Sequence, residues 1–210
     1  MKKEISHNTK ERILISAIEV FTDKGKYGAR MQEIADKAEI NKAMLYYYFT
    51  DKDTLYEKSF EYIFTNLFLR VADIIDEEGT TFDKIDKFVD IYIDFIAENI
   101  EITRMILREM ADGGQVFKKV MEKLTQQENF FIPLKLKYII DNAKKNGEIR
   151  DVDTIQTIIS IIGMSIIYFI GKPVMDVIWN LKPEEHKSFI KARKEGVIDF
   201  IVHGLKKDSQ

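Results

Sequence analysis

The sequence predicts an all-α fold, and three observations predict it. Apolar residues recur at spacings of three and four along most of the chain, strand-like alternation is scarce, and the first proline is Pro133. At roughly 100–200 residues per domain, 210 residues allow one large domain, or a small one joined to a larger one. The absence of cysteine excludes disulfides, thiolate zinc sites, iron–sulfur clusters and cysteine nucleophiles. A charged share of 32% and a hydrophobic share of 45% describe an ordinary globular composition rather than a disordered one.

The first helix is expected to open at Asn8, with Glu11 reaching back to complete the cap, and to carry Ile13, Leu14, Ala17, Ile18 and Phe21 on one face. Gly25 suits the exit from it. A short helix over about Met31–Lys37 turns Ile34, Ala35 and Ala38 inward, and another over about Lys42–Phe49 has Asn41 as a natural cap. Thr50 and Asp53 form a capping signature for a long helix to about Glu78, with a stripe of Leu55, Phe60, Ile63, Phe64, Leu67, Phe68, Val71 and Ile75. After Gly79-Thr80-Thr81 a helix covers Phe82–Glu98, and a shorter one runs to about Ala111, where Asp112-Gly113-Gly114 stops it. The pattern resumes from Gln115 to Asn146, with Pro133 marking a kink or break. Two last helices are expected over about Asp153–Ile170 and Pro183–Leu205, with a further turn or two within Val174–Trp179. The apolar run Ile158–Ile170 is thirteen residues, short of the roughly 20 that a membrane span needs. No targeting segment is visible, so a cytoplasmic location is expected.

Two short helices joined by a tight turn, preceded by a longer helix, are the parts of a helix-turn-helix. Ile34 and Ala38 lie four apart on the second helix, and Leu45 and Phe49 four apart on the third; with Ala35 and Ile40 they form a small core. Lys42, Ala43, Tyr46 and Tyr47 remain on the outer face of the third helix. Lys42 stands in the first turn, the end that approaches base edges in a major groove. Ala43 permits close approach and offers a methyl to thymine. Tyrosine hydroxyls bind phosphate, and Lys52 adds a charge at the next helix start.

The stretch Met31–Phe49, followed by Asp51-Lys52 and Leu55, resembles the DNA-binding domain of the TetR family of transcriptional regulators. The string Leu45-Tyr46-x-Tyr48-Phe49-x-x-Lys52-x-x-Leu55 is its most specific part, and the likeness reaches back through Arg12, Ile13, Ala17 and Phe21 to Gly25. The resemblance implies a homodimeric repressor released from its operator when a small ligand binds the C-terminal domain. It implies a DNA-binding domain over 1–55, with the motif at about 30–49, and a helical ligand-binding and dimerisation domain over 56–210. The DNA-contacting set that follows is Arg30, Gln32, Lys42, Ala43, Met44, Tyr46, Tyr47 and Lys52. Arg30 replaces the usual hydroxyl residue before the second helix and can contact phosphate by charge; Ala43 stands where glycine is common.

At roughly 100° per residue, Tyr46, Tyr47 and Tyr48 cannot share one buried face. Tyr48, four after Met44, is the one expected to pack. The apolar run at 158–170, with Phe189, Ile190, Val197, Ile198, Ile201 and Leu205, is expected to form a four-helix interface with a second copy through about 153–171 and 183–205, with Gly163 and Ser165 permitting close approach. Among the aromatic and methionine residues of the middle helices, most of which must be core, Phe68, Tyr92, Phe95, Met105, Met110, Phe130, Tyr138 and Tyr168 are candidates for an effector pocket. His7, His186 and His203 are scattered without ligand spacing, so no metal is expected, and no cofactor either. Catalytic signatures are absent, so an enzyme is disfavoured.

Net charge is −3 overall, but residues 1–60 carry 11 Lys and Arg against 10 Asp and Glu. The basic residues of the motif must therefore act by placement. The function expected is a ligand-responsive DNA-binding repressor that reads a palindrome and yields to a small apolar or amphipathic effector. The competing reading is a helical module that organises DNA or binds protein or lipid, without promoter-specific repression.

Overall fold

The computed structural model describes residues 2–75, 78–126 and 132–207. Among the described residues there are ten α-helices: α1 (Lys2–Gly28), α2 (Met31–Lys37), α3 (Lys42–Tyr48), α4 (Lys52–Ile75), α5 (Thr81–Glu98), α6 (Ile100–Ala111), α7 (Gln115–Thr125), α8 (Ile132–Asn146), α9 (Thr154–Ile178) and α10 (His186–Leu205). No strand occurs among the described residues. The all-α expectation holds.

Several boundaries differ from expectation, each for a local reason. Helix α1 begins at Lys2, because nothing in residues 2–7 breaks a helix; Asn8 and Glu11 lie inside it, and Glu11 accepts a hydrogen bond from the Tyr62 hydroxyl at 2.8 Å instead of capping. Helix α4 is capped by Asp51, whose Oδ1 accepts the Thr54 N–H at 2.7 Å, rather than by Thr50. Asp53, now in the first turn, pairs with Lys26 at 3.2 Å. The expected extension of α4 towards Glu78 falls partly outside the described residues, as does Phe130. Helix α5 starts at Thr81 under a full capping box, with Thr80 and Asp83 satisfying each other's backbone N–H groups. The pattern over 115–146 is two helices, α7 and α8, with Pro133 in the first turn of α8, so the kink or break expected there is a break.

The largest difference concerns the end of the chain. The run at 158–170 and the turn within 174–179 are one 25-residue helix, α9, which passes through Pro173. The helix continues past the lost N–H, with Lys172 and Asp176 paired at 2.5 Å on either side of the proline. By length and composition α9 is long and apolar enough to cross a membrane, unlike the thirteen-residue run alone. Pro183–Glu185 form a 3₁₀ turn, and α10 begins three residues later than expected.

The chain divides into two units, Met1–Asn66 with Glu101–Glu128, and Leu67–Ile100 with Asn129–Gln210. The first holds a core of Ile13, Ala17, Phe21, Ile34, Leu45, Phe49, Leu55 and Phe60. In the second, α5 packs against α8, α9 and α10, and α9 against α8 and α10. Ile85, Val89, Ile93, Ile140, Ile161 and Ile201 are all buried in that unit. Lys194 of α10 clamps Asp90 and Asp94 of α5 at 2.7 Å each.

Candidate nucleic-acid interface

The site starts where α1 ends. Gly25 adopts φ 68°, a left-handed conformation that glycine accepts without steric cost, and kinks α1 three residues before its end at Gly28. Helix α2 closes on a Schellman turn: the Glu39 N–H donates to Asp36 O at 3.1 Å and the Ile40 N–H to Ala35 O at 3.0 Å. Glu39 occupies its left-handed position at φ 52°, although it is not a glycine. Asn41 then caps α3, its Oδ1 accepting the Met44 N–H at 2.8 Å. Ile34, Ala35, Ala38, Leu45 and Phe49 are all buried between the helices, and Ile40 is half-buried.

That packing leaves one face of α3 to solvent. Tyr47 is 83% exposed, Tyr46 43% and Met44 42%, with Lys42 and Ala43 also exposed. Tyr48 is half-buried and meets Tyr47 edge-on at 5.4 Å. The Lys42 ammonium sits 5.9 Å from the centre of the Tyr46 ring, a cation–π contact one helical turn apart. Lys42, Ala43, Met44, Tyr46 and Tyr47 therefore share the open side of a single short helix.

The other expected contacts are placed differently. Arg30 is the exposed residue before α2, in extended conformation and making no side-chain cap bond. The Gln32 amide donates to Asp36 Oδ1 at 2.7 Å, which leaves its carbonyl oxygen to accept. Lys52 is half-buried, and its ammonium lies 3.5 Å from Tyr27 O and 3.3 Å from Ala29 O. It thus braces the turn after α1 besides presenting charge. Tyr27, 86% exposed beside that brace, went unnoticed in the sequence; only its large exposed ring marks it out, and exposure is a tertiary property.

The effector-pocket candidates do not gather around one cavity. Met105 is buried in the first unit, where Thr22 Oγ1 donates to its sulfur at 3.7 Å, and Met110 is exposed there. In the second unit Phe68, Phe95 and Tyr168 are buried, while Tyr138 is exposed. Tyr92 stacks on Phe88 at 5.6 Å, and burial pushes its hydroxyl pKa up to about 12. The Tyr168 hydroxyl is buried without a hydrogen-bond partner among the described residues. Two cavities open within the second unit. One, of about 430 Å³, is lined by residues including Arg150, Gln156, Ser160, Met164 and Phe200. The other, of about 750 Å³, includes Thr80, Thr81, Lys84, Asn142 and Glu148. Among the described residues, none of the other seven candidates lines either, and Phe130 lies outside them.

Comparison with known proteins agrees with the geometry. Residues 13–58 match the model for bacterial regulatory proteins of the tetR family, and residues 82–201, more than half of the chain, match the tetracyclin repressor-like C-terminal domain. The probable HTH-type transcriptional regulator YttP of Bacillus subtilis is 26% identical over 144 residues, 67% of each chain. Among solved structures, the regulator FadR from Bacillus subtilis in complex with stearoyl-CoA superposes with a TM-score of 0.70 at 17% identity, covering 92% of this chain and 98% of that one. AibR in complex with isovaleryl coenzyme A and operator DNA gives 0.63 at 21% identity, covering 77% and 85%. At these identities the two structures speak for the fold. The helix-turn-helix with its open α3 face and the match running through the C-terminal helices lead to one conclusion: this chain belongs to the TetR family of bacterial regulatory proteins.

Proposed function

We propose that this DNA-binding transcription regulator is a homodimeric repressor that reads a palindromic operator in the cytoplasm and is released by an amphipathic or apolar effector. The observation that carries the reading is the exposed face of α3, where Lys42, Tyr46 and Tyr47 stand clear of the core on a capped, well-packed helix. Residues 1–55 read DNA, and 56–210 sense and dimerise. Two copies would place their α3 helices in successive major grooves roughly 34–36 Å apart. An unpartnered apolar stripe supports dimerisation: Ile155, Ile159, Ile167, Ile170, Val174 and Ile178 lie exposed at spacings that follow one side of α9. Gly163 falls on the same side, and a Cβ placed there would meet no other group of the described residues within 4 Å, as close approach of a second helix requires. Covered by a second copy, this face needs no membrane.

An acyl thioester is the effector class we favour, because two proteins of this fold are described with acyl-CoA ligands. Such a ligand releases the operator only by binding more tightly to the state that does not fit DNA. The test measures binding of the full chain to promoter DNA upstream of its own gene, from low to high salt, against random duplex. Specific binding that weakens steeply with salt is expected. A flat salt response with no preference over random DNA sinks the proposal, and many dispersed genomic footprints instead of one or two palindromes favour a DNA-organising role. Loss of operator binding on adding stearoyl-CoA or isovaleryl-CoA tests the effector class.

A further inference from the structure

Tyr27 lies between the Gly25 kink and the end of α1, and it is 86% exposed although a tyrosine ring is ordinarily at least partly packed. The chain around it is held inward. Ala29 is buried, and the Lys52 ammonium at the start of α4 lies 3.5 Å from Tyr27 O and 3.3 Å from Ala29 O. Lys26 reaches the same end of α4, 3.2 Å from Asp53 and 5.3 Å from the centre of the Tyr56 ring. Residues 26–29 are thus stapled to the first turns of α4 on both sides of Tyr27. Its ring is left facing solvent, with the hydroxyl lacking a hydrogen-bond partner among the described residues.

In a helix-turn-helix whose second helix enters a major groove, the helix before it crosses the sugar-phosphate backbone. Helix α2 holds that position, and Tyr27 comes four residues before its first residue, Met31. Arg30, at the same entry, is exposed and extended and makes no side-chain cap bond. A singly exposed aromatic needs no ligand to explain it. Tyr27 differs in having an anchored backbone beneath it and two cations, Arg30 and Lys52, on the same short segment. The acceptor this arrangement fits is a phosphate oxygen: the cations draw it in, and a tyrosine hydroxyl donates to it. Residues 1–60 carry only 11 Lys and Arg against 10 Asp and Glu, so neutral donors matter more here than in a strongly basic domain.

We propose that Tyr27 is a DNA-backbone contact, its hydroxyl donating to a phosphodiester oxygen beside the bases that α3 reads, and that Lys52 is its positioning residue through the Tyr27 and Ala29 carbonyls. The place of the contact in a half-site rests on the reading of the chain as an operator-binding protein. The bond itself serves any duplex, because phosphates carry no sequence.

The experiment uses full-length Tyr27→Phe, Lys52→Met and the double variant, with anisotropy on operator and random duplex from low to high salt. Tyr27→Phe removes a single oxygen from an exposed side chain. It is expected to weaken binding to both duplexes by about fivefold, with the salt slope unchanged because no charge is lost. Added to Lys52→Met, it is expected to cost less than about twofold more, since the turn no longer holds the ring in place. Wild-type affinity of Tyr27→Phe on both duplexes overturns the contact. A loss confined to the operator overturns it too, marking base reading, and so does a melting temperature that falls with affinity, marking a role in folding. Additive losses in the double variant overturn the positioning role of Lys52. Methylphosphonates introduced one at a time along the operator supply a second readout: at one position in each half-site the neutral linkage is expected to weaken wild type severalfold more than Tyr27→Phe. The absence of such a position overturns the contact. A wild-type chain without operator preference instead overturns the proposed function, and the random-duplex measurement then decides Tyr27 by itself.

Discussion

Glu39 is a non-glycine residue in the left-handed conformation at the turn between α2 and α3. That conformation costs about 1–2 kcal/mol for an ordinary residue, while glycine adds about 0.5–1 kcal/mol of chain entropy to be lost on folding. Relief exceeds penalty, so Glu39→Gly is expected to stabilise the protein by roughly 0.5–1 kcal/mol in denaturant titration. A decrease in stability would show that the Glu39 side chain makes a contact worth more than the strain. On the outer face of α3, Lys42→Ala is expected to cost about 1–3 kcal/mol of operator binding and to relax base preference, while Tyr46→Ala weakens all sequences alike. Binding by both variants equal to wild type would refute this docking. Lys52→Ala should do more than remove a phosphate contact, because Lys52 also braces Tyr27 O and Ala29 O.

Helix α3 is seven residues long, too short to persist without tertiary packing and its cap. Asn41→Ala removes the side-chain bond to the Met44 N–H and is expected to cost about 1 kcal/mol of stability, read from thermal melting, with operator binding falling alongside it. Asn41→Asp keeps an acceptor at that position and should restore most of the loss; its failure to do so would mean that Asn41 acts other than as a cap. Helix α9 shows element-scale logic of another kind. Its inward side, Ile158, Ile161, Ser165, Tyr168 and Phe169, is buried, and its outward side is apolar but open. Ser165, expected at the interface, faces inward and donates to Ile161 O at 2.8 Å. Val197, Ile201 and Leu205 of α10 are likewise buried within their own chain, whereas Phe200 is 73% exposed. The outward stripe is therefore carried by α9 with Phe200, and Ile159→Glu is expected to convert the proposed dimer to monomer in sedimentation. A dimer that survives this change does not use the α9 stripe.

For the molecule as a whole, acid should be the destabilising direction near the carboxylate range. Asp83 is held below its ordinary value by hydrogen bonds from Thr80, Asp141 by bonds from Lys137 and Thr154, and Glu148 by bonds from Thr81 and Asn146. Groups whose folded pKa is lowered contribute stability that is fully present above the unfolded value and lost as pH falls through the folded one. Melting temperature should be flat from pH 7 to about 5 and then fall below about pH 4. Persistence of the full melting temperature at pH 3 would contradict it.

The sequence by itself determined the helical class, the helix-turn-helix, the Asn41 cap and the family, because these depend on spacings within a few residues of each other. Met31–Lys37 and Lys42–Phe49 were legible to within a residue for that reason. Tertiary structure decided what depends on neighbours distant in the chain. It decided that α9 runs through Pro173, a course that a proline in a helical pattern leaves open when read from sequence. It also decided which apolar residues are core and which form an open stripe, a distinction that period alone does not make when a helix is apolar on every side. Buried Glu109 belongs to the same class: in sequence it is one carboxylate among many on a charged helix, and only the Val116 N–H bonded to its Oε1 across the turn gives it a place.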